Sequence, residues 1–164
     1  MAVTLVLNPG IPAFDTLRAY EGDVPLRYRK LGPTFILRLD RGEEIVSTLK
    51  DFCKEQAICI GTVQGIGAVD NAVIGIFAAR TKEYHTTTLS GDHEITSLAG
   101  SITTMDNKPY LHLHITLTDA TYLAFGGHLT SAVVSGTCEV FIHTFDDRLG
   151  RRFDADTGLN VFDL

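Results

Sequence analysis

Residues 110–118 alternate without a break. Leu111, Leu113, Ile115 and Leu117 fall on one face of an extended chain, and Tyr110, His112, His114, Thr116 and Thr118 on the other. This period of two predicts a strand with one buried face. Earlier in the chain the period changes. Ile45, Leu49, Phe52 and Cys53 recur at three- and four-residue steps, with Glu44, Lys50, Asp51 and Lys54 between them, which predicts an amphipathic helix ending near Gln56. Asp40 and Glu43, three residues apart, supply a side-chain cap and a returning carboxylate for the free amides at its start. A short strand, Thr34 to Leu39, precedes it. After it, strands are expected at 58–64, 71–79, 84–89, 94–104, 110–118, 122–125 and 132–145, punctuated by Gly65 and Gly67, by Ser90, Gly91 and Asp92, by Asp106, Asn107 and Pro109, and by Gly126 and Gly127. These connections are too short for crossover helices. The pattern therefore predicts a single α+β domain with a mostly antiparallel sheet of about seven strands and one main helix, and the abundant threonines suit half-exposed strand faces.

Residues 1–30 carry most of the prolines and no periodicity, and read as an N-terminal arm; the regular part spans 31–145, and 146–164 form a C-terminal segment. With 164 residues, 45% of them hydrophobic, the chain supports one full core and not a disordered state. Its net charge of −6 opposes a general phosphate-binding surface, which would need clustered Lys and Arg. The best basic group, Arg148, Arg151 and Arg152, is interleaved with Asp146, Asp147, Asp154 and Asp156 and reads as a solvated loop. Cys53, Cys59 and Cys138 are odd in number and show no paired spacing, as expected of reduced thiols. No basic residue precedes Arg18 and no apolar run reaches the roughly 18 residues of a membrane span, so a soluble cytoplasmic protein is expected.

The chemistry that the pattern exposes is on the polar face of 110–118. His112 and His114, two apart on a strand, can turn their rings toward one ion, and His128, behind Gly126-Gly127, can return beside them. Three neutral imidazoles with an open fourth position suit Zn²⁺. The plainer alternative, two solvated polar residues on a half-exposed strand, stays open. Glu94 and Glu139 lie inside predicted strands and are candidates for proton transfer or for orienting a ligand histidine. His85, His93 and His143 read as surface or loop residues. Gly65-Ile-Gly67 reads as a hairpin turn, because it does not open a helix as a phosphate loop would.

Taken in order, the Leu37–Glu44 strand and helix start, Gly61–Val69, Glu94–Ile102, His112-Leu-His114, Gly126-Gly-His-Leu129 and Glu139–Ile142 resemble the plants-and-prokaryotes-conserved (PPC) domain of small prokaryotic proteins and plant AT-hook proteins. The resemblance implies a twisted antiparallel sheet, a homotrimer and a regulatory, DNA-binding type of protein. The Arg-Gly-Arg-Pro core of an AT-hook is absent here, since Arg41-Gly42 is followed by Glu43. The fold and the ligand pattern are also similar to those of zinc enzymes such as acetolactate decarboxylase. Two functions are thus expected to compete: a trimeric regulatory domain holding zinc through His112, His114 and His128, and a zinc-dependent enzyme acting on a small carboxylate or carbonyl substrate.

Overall fold

The computed structural model of the chain describes residues 26–164. Of the arm assigned to residues 1–30, positions 1–25 lie outside the described residues, and Arg27–Leu31 form the first strand, β1. β1 makes a hairpin with β2 (Thr34–Asp40), and α1 (Ile45–Glu55) follows. Four long strands then run as an antiparallel meander: β3 (Gly61–Ala78), β4 (Glu83–Met105), β5 (Lys108–Thr118) and β6 (Ala124–Thr144). The last elements, β7 (Arg151–Asp154) and β8 (Leu159–Phe162), form a separate hairpin.

The main sheet has six strands in the order β1-β2-β6-β3-β4-β5, and β6 also pairs with β5. The α+β architecture with one helix is as expected, but the strand count differs. A six-stranded sheet plus a two-stranded one replaces about seven strands, because three of the expected turns are not turns. Gly65 and Gly67 mark a register shift inside β3, the Gly91 region lies within β4, and Gly126-Gly127 lie within β6. The physical reason is curvature. Bulges bend a strand and increase its twist without ending it, and the meander from β3 to β6 must curl far enough for β6 to close on β3. Between β4 and β5 the turn is where it was expected. Asp106 and Asn107 both have positive φ, 52° and 59°, which suits the two-residue hairpin geometry whose twist matches the flanking strands.

The helix buries Ile45, Leu49, Phe52 and Cys53, the predicted stripe, against β5 and β6. Its cap is displaced from the expected Asp40. Glu44 is the N-cap and accepts from the amides of Val46 and Ser47, while a third amide, Ala132 of β6, donates to the same carboxylate and ties the helix start to the sheet. Glu43 still acts as the returning carboxylate, accepting from the Asp40 amide. Phe52 also meets Tyr28 and Phe35 edge-on, with ring centroids 5.0 and 5.3 Å apart, so the β1–β2 hairpin is anchored by aromatic contacts. Leu37, Leu39, Val63, Leu98, Ile115 and Leu117 fill the space between sheet and helix, each buried to within 2% of complete. At about 1.5–3 kcal/mol per buried side chain of this kind, this layer supplies the gross drive for the fold.

Candidate metal centre

The three histidines meet at the seam of the closed sheet. β6 pairs with β3 from Thr144 back to His128 and with β5 from His128 to Ala124, so His128 is the residue paired on both sides, with Gly75 of β3 and His114 of β5. This requires a close approach. A Cβ on Gly127 would stand 2.5 Å from the carbonyl oxygen of Gly75, so only glycine lets β6 pass against β3 at that point. On β5, strict alternation puts Leu113, Ile115 and Leu117 into the core and leaves His112 half-buried and His114 exposed on the other face.

His112 Nε2 lies 3.2 Å from His128 Nδ1 and 3.3 Å from His114 Nε2, and one nitrogen from each ring falls within 4.8 Å of the others. A tetrahedral zinc with nitrogen ligands at about 2.0–2.1 Å has ligand–ligand edges of roughly 3.3 Å. Two of the three edges thus match. A single ring proton on His112 Nε2 can bridge to only one neighbour, whereas one cation satisfies every converging lone pair. Electrostatics point the same way. Burial, and then the positive fields of His114, His128 and Arg151, hold His112 below the ordinary imidazole pKa, and burial followed by His114 does the same to His128. Both rings are therefore neutral and available as ligands at neutral pH. The residues present fit a zinc ion.

His112 and His128 also line a cavity of about 770 Å³. Its far wall is the β7–β8 hairpin, which sequence reasoning treated as solvated loop. The signal that could have found it is the turn between Arg151–Asp154 and Leu159–Phe162, in which the Asp154 carboxylate accepts from the Thr157 amide and hydroxyl and Gly158 has φ +76°. Arg151, far from being solvated, is sandwiched between the rings of Tyr110 and Phe162, 4.7 and 4.5 Å from their centroids. Its Nε donates to Thr103 Oγ1, Nη1 to the Asn160 carbonyl and Nη2 to Ser101 Oγ. Tyr84 completes the near wall, its hydroxyl 3.2 Å from Thr130 Oγ1 and its ring beside His128.

The candidate glutamates are not brought to this site. Glu94 is exposed on β4 opposite Ala68 and Thr118, four residues along β5 from His114, and Glu139 is exposed at the far end of β6, opposite Arg38 and Ile66. Neither lines the cavity. His85 and His143 are exposed as expected, but His93 is buried inside β4, its Nδ1 2.6 Å from the Gly91 carbonyl oxygen, because the turn expected there is a bend within a continuous strand. Cys53 and Cys138 are buried thiols whose pKa burial pushes up to about 12, which makes them inert. Among the described residues no helix is long and apolar enough to cross a membrane.

The family model of the Plants and Prokaryotes Conserved (PCC) domain, the PPC domain of the resemblance above, matches residues 26–146. The chain belongs to this family. Among solved PCC-like structures, a candidate DNA-binding protein from Bacteroides thetaiotaomicron is 38% identical with a TM-score of 0.82, covering 84% of this chain and 96% of that one. A metal-containing protein from Archaeoglobus fulgidus is 37% identical with a TM-score of 0.75, covering 84% and 96%. A Staphylococcus aureus protein similar to alpha-acetolactate decarboxylase shares the fold alone, at 14% identity and a TM-score of 0.50 over 77% of this chain and 56% of that one. The bifunctional protein GlmU of Synechococcus sp. (strain JA-3-3Ab) is 30% identical over 125 residues, and this chain spans 19% of its length. β7 and β8 lie beyond the residues that the PCC model matches.

Proposed function

We propose that this PCC domain is a zinc-holding regulatory domain, in which His112, His114 and His128 bind one Zn²⁺ at the wall of a ligand cavity. The observation that carries the reading is the convergence of three imidazole nitrogens within 4.8 Å on a face that opens to a cavity of about 770 Å³. Three protein ligands leave zinc a position for water or an anion. When bound, the ion would supply a positive centre for an oxygen ligand, and the chain's own part is to present the imidazole nitrogens beside the aromatic walls of Tyr84, Tyr110 and Phe162. The relative from Archaeoglobus fulgidus, a metal-containing protein, supports the metal.

We include a homotrimer, as the family resemblance implies, in the cytoplasm, as the unpaired cysteines suggest, with DNA contacted through partners, since a net charge of −6 disfavours direct attachment to phosphates. Binding is favoured over turnover. The competing zinc enzyme would lack the carboxylates expected to transfer its proton, since neither Glu94 nor Glu139 lines the cavity, and that role would fall to Tyr84 or Tyr110. Elemental analysis of untagged protein, with native mass, tests this reading: about one zinc per chain is expected, falling to near zero in His112→Ala and His128→Ala. Zinc retained in both variants, or absent from the wild type after loading and dialysis, overturns it.

A further inference from the structure

Arg151 is a half-buried cation whose hydrogen-bond and ring partners are neutral: two hydroxyls, a carbonyl and two aromatic faces. Among the described residues no carboxylate lies within ion-pair distance of it. The nearby acids are engaged elsewhere, Asp154 and Asp163 both pairing with Arg152. A partly desolvated guanidinium is costly without an anion, and three of its five N–H groups are committed, leaving two for a ligand. Register fixes where this charge sits. Ser101, which takes one Arg151 bond, is the β4 partner of His112, and Thr103, which takes another, is the partner of Tyr110. Cross-strand partners point to the same face roughly 5 Å apart, so the guanidinium stands one side-chain step from the imidazole cluster, and Arg151 and His112 line the same cavity. Most of the rest of that cavity is apolar, including Phe77, Leu129, Leu159, Val161 and Phe162, with Tyr84, Tyr110 and Asn160 as its other polar members.

Building on the zinc reading, we propose that the cavity binds a small carboxylate with an apolar body, the carboxylate shared between the metal centre and Arg151 and the body lying against the wall of the β7–β8 hairpin. Two separated positive centres select a planar anion with two oxygens, since a guanidinium fork matches a carboxylate edge. The apolar walls select against a small hydrated anion. Arg151 lies beyond residues 26–146, the span that the PCC model matches.

The test is calorimetric titration of zinc-loaded full-length protein with hexanoate, with acetate and 1-hexanol as controls and zinc content measured in parallel. Hexanoate is expected to bind, acetate to bind at least about tenfold more weakly, and hexanol not to saturate. Arg151→Gln is expected to weaken hexanoate about tenfold or more while zinc content stays the same. Should Arg151→Gln fail to fold by circular dichroism, Arg151→Lys, which keeps the charge but loses the fork, is expected to show a smaller loss. Equal hexanoate affinity in the folded Arg151 variant, or hexanol binding as well as hexanoate, overturns the proposal. A protein without zinc fails the metal reading separately, by elemental analysis and not by titration.

Discussion

The two walls of the cavity are built by opposite means. The histidine wall is local, because His112, His114 and His128 all belong to the β5–β6 hairpin, whose alternation and register bring them onto one face. The arginine wall is non-local. Arg151 reaches its place by bonding to Ser101 and Thr103, some fifty residues earlier, and by lying between two rings from different hairpins. The difference teaches that a metal-binding arrangement can be written into one stretch of chain, while the charge that would select its ligand depends on how a terminal hairpin docks.

The largest expected effect concerns stability. Leu117 on β5 is fully buried, so Leu117→Ala is expected to cost about 3 kcal/mol in urea unfolding, through lost transfer energy and a residual cavity. Phe162 on β8 is 41% exposed, so Phe162→Ala is expected to cost about 1 kcal/mol or less, the scale of an exposed cation–π contact. If the two costs were equal, the β7–β8 hairpin would be part of the core and the contrast between the walls would fail. A smaller effect should separate them by pH. In the metal-free protein, His112 and His128 titrate below the ordinary value of 6.5, so as pH falls through that value the unfolded chain takes up protons that the folded chain does not, and stability declines. The decline ends once pH passes below the lowered folded values. Urea midpoints from about pH 7.5 to about 5.5 should therefore fall more for wild type than for His112→Asn, while Phe162→Ala should follow wild type. Parallel curves for wild type and His112→Asn would remove the electrostatic distinction.

What could be read from the sequence follows the same division. Period-two alternation at 110–118 and the helical stripe of Ile45, Leu49, Phe52 and Cys53 are local signals with strong burial behind them, and both elements form where they are expected. Glycine was the main source of error. At Gly65, Gly91 and Gly126-Gly127 it serves curvature and close strand approach, and composition does not distinguish these uses from a turn. β1 was concealed by its proline-rich surroundings, and its place in the sheet depends on pairing with β2. The cap moved to Glu44 because Ala132, far along the chain, needed the same carboxylate. Arg151 was misread for the same kind of reason, since its acidic neighbours in sequence pair instead with Arg152.

The switch of β6 from β3 to β5 at His128 has a consequence for the order of folding. His112 and His128 are 16 residues apart in one hairpin, whereas closing the ring pairs Gly61 with Thr144. Hairpins form in about 1–10 μs, and pairings between distant segments are slower because the chain between them must first be ordered. The histidine cluster can therefore assemble before the sheet closes. An ion captured at that stage would hold His128 at the switch point and leave β6 a shorter search for β3, so zinc present from the start of refolding is expected to raise the folding rate, while zinc added afterwards can only slow unfolding.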